Sequence, residues 1–423
     1  MKKVKHKRKS RKGLLIGILC LLLATVCGIA GCLYWYLSQN GMMKTAKTEK
    51  AAEEKKTETE AETKPSESKT ASFHFTGVGD NLLHDPIFVY YEEDNQSRDY
   101  LPIYEATLPY TQNADLSYIN FETLCAGDEF GLSGYPNFNG PKEMMDTLKN
   151  AGFNWFSICS NHSFDRGADG LMAEMNYIQD NMPDVAYTGS NLSQEASSTP
   201  KVVDVNGVKV GLESFTYGLN GYVLPEGQEW LVNQFTTADG GINYDLIKQK
   251  LDALKAVSDV QIVTMHWGEE YQNTPNELQQ EAARYLNEQG VEVIIGTHPH
   301  VIQPAEFISG PEQETLVYYS LGNFLSSQDE FARMIGGMAD FDLNYDFNTK
   351  KTTFSNVKFI PTITYISPDI RRYKTSTIHE YNNDWAADHY LQVAYGQDMS
   401  KEAVQNYVRE VMQDPVNIEV VYE

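Results

Sequence analysis

Residues 291–295, Val-Glu-Val-Ile-Ile, form a nearly unbroken run of β-branched apolar residues. Such a run reads as a strand buried on both faces, inside a sheet rather than at its surface. It passes directly into Gly296-Thr297-His298-Pro299-His300. Proline lacks an N–H, so the ladder stops there and two imidazoles stand together at the strand's carboxyl end. Open α/β sheets bind ligands at that edge. Taken alone the segment has a bland counterpart, two histidines in a polar loop, and the rest of the chain decides between them.

The pattern recurs. Residues 73–80 alternate and end in Gly79-Asp80, residues 115–122 end in Glu122, residues 154–162 end in Asn161-His162, and residues 260–266 end in His266. Residues 315–324 form a further strand carrying Gly322-Asn323. Helical spacing occupies residues 169–181, 244–256, 275–289 and 401–412, the third with proline near its start and Gly290 after its end. Asn206-Gly207 between alternating segments selects a type I′ hairpin over residues 202–212. Residues 338–366 read as β structure with turns at 348–350 and near Pro361, and residues 418–422 as a last strand. The fold class expected is mixed α/β.

Asp80, Glu122, Asn161, His162, His266, His298 and His300 are oxygen and imidazole donors without a thiolate. That set suits Mn, Fe, Zn or Mg. Two divalent ions bridged by a carboxylate need about this inventory. Any one such residue is ordinary loop chemistry, and it is the repetition at strand ends that carries weight.

The formal net charge is −24, yet residues 1–12 hold eight Lys and Arg and no acid, so the remainder carries −32. A body that acidic is a poor partner for nucleic acid. Residues 14–37 contain no charged side chain, and 24 such positions span a bilayer of about 30 Å. With the basic cluster before it, residues 1–12 are expected in the cytoplasm, 13–37 as a single transmembrane anchor and the body outside the cell. Ile29-Ala30-Gly31-Cys32 also resembles a lipoprotein processing box, although residues 33–37 stay apolar after it, and a cleaved signal is a third alternative. Residues 38–71, rich in Lys, Glu, Thr and Ala, read as a disordered tether. Of five cysteines only Cys125 and Cys159 belong to the body, which is no disulfide framework, and they read as two separate buried thiols.

Gly79-Asp80, Asn120-Phe121-Glu122, Ser160-Asn161-His162 with Asp165 and Gly167, His266-Trp267-Gly268 with Glu270-Tyr271, Gly296-Thr297-His298-Pro299-His300, and Ser320-Leu321-Gly322-Asn323-Phe324 together resemble the capsule-synthesis CapA family. The resemblance runs over about residues 73–324. It implies poly-γ-glutamate synthesis or export alongside capsule-synthase membrane subunits. It also implies a calcineurin-like metallophosphoesterase fold, a β-sandwich flanked by helices, over 72–331, with 332–423 as a β-rich extension of the same domain. Carried over by position, Asp80 and His300 would hold one divalent metal, Glu122 would bridge, Asn161, His266 and His298 would hold the second, and His162 would act beside the phosphate. Asn323 would contact substrate or need a left-handed backbone.

Two departures from that pattern stand out. Phosphoesterases carry Asp-x-His in the first block, whereas Leu82 stands here, with His84 further on as a substitute ligand or, preferably, a loop histidine. The bridging acid is Glu rather than Asp. Glu269 and Glu270 are either solvated or hold a ligand histidine in its tautomer, and Trp267 and Tyr271 either pack in the core or line a pocket. His74, His379 and His389 match no motif. Three functions are therefore weighed: a capsule-assembly protein, an outward-facing metal-dependent phosphoesterase with His162 protonating the leaving oxygen, and a non-catalytic scaffold.

Overall fold

The strand with two buried faces lies at the centre of one of two sheets. The computed structural model describes residues 69–423. The expected basic tail, the anchor, nearly all of the tether and Cys20, Cys27 and Cys32 lie outside the described residues. Among the described residues no helix is long and apolar enough to cross a membrane.

The first sheet is built from β1 (Thr70–Asn81), β2 (Leu116–Asn120), β3 (Trp155–Ser157) and β4 (Ala186–Thr188). The second takes β5 (Lys201–Val205), β6 (Val208–Thr216), β7 (Val260–His266), β8 (Val293–Thr297), β9 (Ile302–Ser309) and β10 (Glu314–Leu321) in the order β5-β6-β7-β8-β10-β9. The chain then returns to the first sheet with β11 (Asn323–Leu325), β12 (Ile335–Asp346), β13 (Lys351–Ile366), β14 (Tyr373–Thr377) and β15 (Glu419–Val420). The order there is β14-β13-β12-β1-β2-β3-β4, with β11 on β1 and β15 on β13. β1 to β4 run parallel, as do β6, β7, β8 and β10, so both sheets gather strand carboxyl ends.

Alternation explains the apolar runs. In β8, Val293 and Ile295 face a core shared with Val78, Ile119 and Phe156 of the first sheet. Ile294 faces the opposite way, into a core with Ile247 and Leu251 of helix Tyr244–Lys255 and with Ala282 and Leu286 of helix Glu277–Glu288. β7 and β10 divide likewise, Ile262 and Leu316 against Val263 and Val317. A strand with cores on both faces needs apolar residues at successive positions. Helices Glu143–Asn150 and Gly167–Asn181 bury Met144, Leu148, Leu171 and Met175 in the first core. The result is two sheets with a common core and helices outside.

The hairpin at Asn206-Gly207 has both residues at positive φ, as a type I′ turn requires. Several local expectations change. β2 stops at Asn120, leaving Glu122 just beyond it. β3 stops at Ser157, leaving Asn161 and His162 in a loop. Helix Glu277–Glu288 begins after an Asn276 capping box, so Pro275 precedes the cap. Pro361 makes no turn but sits inside β13, opposite Gly337. Its carbonyl accepts from Ile378 just past the end of β14, so the missing N–H falls at the end of that ladder. Cys125 and Cys159 are buried free thiols.

His74 of β1, which matched no motif, lies between two aspartates of β12, with Nε2 3.1 Å from Asp340 and Nδ1 2.9 Å from Asp342. The hydrogen bond to Asp340 raises its pKa to about 9 against the opposing effect of burial, and Asp342 adds to the rise. A folded-state value above the ordinary one means the pairing stabilises fully below about pH 6.5 and is lost as pH rises through about 9. His74→Gln is therefore expected to lower the urea midpoint at about pH 6 and to converge with the parent above about pH 9. An equal deficit at both pH values would assign the loss to packing instead.

Candidate metal centre

Register brings the strand ends together. Asp80 lies opposite Asn120 on β2 and Asn323 on β11, and His266 lies opposite Thr297 on β8. Because the two sheets share a core, Asp80, Glu122, Asn161, His162, His266, His298 and His300 converge, and all are buried. One donor atom each from Glu122, His298 and His300 lie within 4.8 Å of one another, and so do donor atoms from Asp80, Glu122 and His266. Glu122 belongs to both groups, as a bridging acid must. The groups pair His298 with His300 and His266 with Asp80, whereas the sequence expectation puts Asp80 with His300 and His266 with His298. His300 Nδ1 is 3.1 Å from Asp80 Oδ2, and His266 Nε2 is 2.7 Å from Asn161 Oδ1.

The supporting contacts orient these donors. Asp80 Oδ1 accepts from Asn120 Nδ2 at 2.8 Å and from the His298 N–H at 3.3 Å. His266 Nδ1 meets Thr297 Oγ1 at 3.1 Å and Asn120 Nδ2 at 3.4 Å. Asn161 Nδ2 donates to Asn220 Oδ1 at 3.0 Å. Both neighbours of His300 Nδ1, Asp80 and Asn323 Oδ1 at 3.0 Å, are acceptors, so Nδ1 carries the proton. Nε2 lies 3.7 Å from Glu122 Oε1. The backbone is strained at the same place: His298 and His300 have φ of 95° and 58°, a region costly for side chains other than glycine.

His162 stands slightly apart. Its Nδ1 is 2.7 Å from Asp165 Oδ2, which also accepts from the Phe138 N–H at 2.7 Å. The Phe138 ring abuts the imidazole edge-on at 4.6 Å.

The decisive feature is what lacks a partner. Both carboxylate oxygens of Glu122 and Nδ1 of His298 are buried without a hydrogen bond. An unpaired buried carboxylate costs several kcal/mol within the chain alone. Burial, reinforced by Asp80, pushes the Glu122 pKa well above its ordinary value. Burial, with neighbouring histidines, pushes His266 and His298 well below theirs, so these imidazoles are neutral, the ligating form. Orphaned carboxylate oxygens beside neutral imidazoles fit divalent cations.

The structure also decides readings that the sequence left open. Asn323 is buried and fully engaged, with Nδ2 donating to Gln328 Oε1 and the Arg333 carbonyl at 3.0 and 2.9 Å, so it supports His300 rather than meeting substrate. The left-handed backbone belongs to Gly322, at φ 59°. His84 accepts from the Ser327 N–H at 3.2 Å as the residue before helix Asp85–Asn95, a loop role, and burial lowers its pKa to about 4. Glu269 and Glu270 are exposed, and Thr297 and Asn120 orient His266 in their place. Trp267 is core, whereas Tyr271 lies at the surface. Asn120 and Thr297 stand two residues before Glu122 and one before His298, respectively, and that adjacency was the available signal.

The fold and donor set define a mixed α/β protein of two sheets with a buried acid–imidazole cluster at their joined carboxyl edges. The family model for the bacterial capsule synthesis protein PGA_cap matches residues 74–328, and the chain belongs to that family. The PGA biosynthesis protein CapA of Bacillus subtilis (strain 168) is 29% identical over 187 residues, 44% of this chain and 46% of that protein. The capsule biosynthesis protein CapA of Bacillus anthracis is 27% identical over 235 residues, 53% and 54% of the two chains. The chain thus spans about half the length of these curated relatives. A solved structure described as a novel phosphatase from Mycoplasma pneumoniae is a distant likeness, 17% identical with a TM-score of 0.41, over 69% of this chain and 94% of that one.

Proposed function

We propose that this chain is a membrane-held, outward-facing component of poly-γ-glutamate capsule synthesis or export, with a two-cation centre of metallophosphoesterase type. The observation that carries the metal assignment is the pair of orphaned Glu122 oxygens. Asp80 and His300 would hold one cation, Asn161, His266 and His298 the other, with Glu122 between them. Bound there, divalent cations supply Lewis-acid polarisation of a substrate oxygen. Residues 14–37 would anchor the body outside the membrane, in reach of capsule-synthase membrane subunits.

In a poly-γ-glutamate-producing host lacking its own CapA-family gene, the full chain is expected to restore surface polymer. The His298→Ala/His300→Ala variant is expected not to. Equal complementation by both would show that the centre is not used.

The His162–Asp165 pair favours a second reading, phosphoester hydrolysis by the same centre. Asp165 accepts a hydrogen bond from Nδ1–H and turns Nε2 outward, where a proton first taken up from solvent would be passed to a leaving oxygen, returning the neutral imidazole. Phe138 excludes water from one side of the ring. On this reading, Mn2+-dependent hydrolysis of p-nitrophenyl phosphate falls roughly 100- to 10,000-fold in kcat for His162→Asn, while Mn2+ content is unchanged. A smaller fall would remove His162 from proton transfer.

A further inference from the structure

Arg333 lies beyond the segment that matches the family model. Its guanidinium carbon sits 3.6 Å from the centroid of the Tyr271 ring, a cation–π stack. Tyr271 is itself fastened to the histidine loop. It has φ 67°, its N–H donates to the Pro299 carbonyl at 2.7 Å, and its ring centroid is 6.1 Å from that of His300. The guanidinium therefore lies within the sum of those two distances of the imidazole. From the other side, the Arg333 carbonyl accepts from Asn323, which holds His300. The stack thus holds the side chain near the histidine loop, and a separate contact ties the Arg333 backbone to Asn323.

Its charge is poorly spent inside the chain. Nε is buried with no acceptor. The terminal nitrogens reach Glu330 at 3.1 Å and Asp329 at 3.8 Å, and both carboxylates are more than 60% exposed, whereas the arginine side chain is 16% exposed. Ion pairs to exposed carboxylates are weak and are readily exchanged for another anion. Arg166, which lies beside Asp165, differs. Its Nε, Nη1 and Nη2 donate to the carbonyls of Phe130, Asp165 and Gly131 at 3.1, 3.0 and 3.3 Å, so its donors are consumed by the fold. In a chain of net charge −24, a preorganised guanidinium with an unmet donor beside an acid–imidazole cluster is a receptor for an oxyanion.

We infer that Arg333, held on Tyr271, binds a carboxylate or phosphate group of the molecule engaged by the metal centre and so selects anionic substrates. This rests on the proposed metal centre for the identity of the site, though not for the anion contact itself. A γ-glutamyl polymer bears a carboxylate on every unit, and a phosphoester offers phosphate. Both present the planar or tripodal oxygens that a guanidinium fork matches.

The test is calorimetric titration of the full chain, Mn2+-loaded and metal-free, with a six-residue oligo-γ-glutamate and with inorganic phosphate. Arg333→Ala is expected to weaken binding of at least one probe roughly 10- to 100-fold, with Mn2+ content unchanged. Arg333→Lys should fall between, keeping the charge without the fork. Loss for the peptide alone identifies a carboxylate subsite, and loss for phosphate alone a phosphate subsite. Unchanged affinity for both probes, or a parent that binds neither, overturns the inference. Loss of Mn2+ from Arg333→Ala also overturns it, since Arg333 would then merely support Asn323 and His300. A parent that takes up no Mn2+ but still loses anion affinity on substitution refutes the metal centre and leaves the anion site standing.

Discussion

Glu122→Gln is expected to abolish metal-dependent stabilisation while leaving the metal-free protein about as stable as the parent. Both carboxylate oxygens are buried without a partner, and burial with the neighbouring Asp80 charge favours the protonated form. In the absence of cations the carboxyl group is thus nearly neutral, and an amide of the same shape replaces it at little cost. With cations bound, the carboxylate is the one acid common to both donor groups. Losing an outer-sphere partner alone costs roughly 10- to 100-fold in affinity, so losing the shared ligand should exceed about 100-fold. At a thousandfold excess of Mn2+ over Kd the parent should gain about 4 kcal/mol, and the variant essentially none. Thermal melts of both proteins with and without Mn2+, together with metal analysis, check this. A variant that still gains the full increment would show that Glu122 does not hold the cation.

Gly79→Ala should disrupt the same site through the backbone. An added Cβ would lie 1.9 Å from the Gly322 carbonyl oxygen and 3.0 Å from the carbonyl carbons of Gly322 and Leu321. That oxygen cannot withdraw freely, because it accepts the Asp80 N–H at 2.9 Å where β1 pairs with β11. Relief requires parting the two strands that carry Asp80 and Asn323. A loss of more than about 4 kcal/mol is expected, the range reserved for clashes and broken networks. Gly218→Ala, with nothing within 4 Å of its added Cβ, is the control and should stay within about 0.5 kcal/mol of the parent. Urea denaturation of the three proteins measures the difference. Comparable midpoints would mean that the β1–β11 contact is soft.

Strand ends were legible because a strand with two buried faces writes itself as a local apolar run, and its termination in Asp, Glu or His is equally local. That is why Asp80, His266, His298 and His300 stand out from the sequence as candidate donors, and the structure brings them into one buried cluster with Glu122. Roles that depend on pairing between distant strands were not legible. Asn323 was expected at the substrate and instead braces His300, since the register of β11 on β1 and the contact with Arg333 turn its amide inward. Glu270 was a reasonable partner for a ligand histidine by sequence distance, yet the β7–β8 register places Thr297 opposite His266.

The chemical inventory is written in the amino-acid order: donors of oxygen and imidazole type, their succession along the chain, the strands that carry them and the family to which they belong. These follow from residue type and short-range periodicity. Folding in three dimensions makes two separate sheets share one core and so brings Asp80 and Glu122 against His266, His298 and His300. It alone left Glu122 without a partner and stacked Arg333 on Tyr271. Those outcomes depend on inter-strand register and on the stacking of surfaces distant in sequence, as with Asp80 and His300, and no local pattern encodes such a contact.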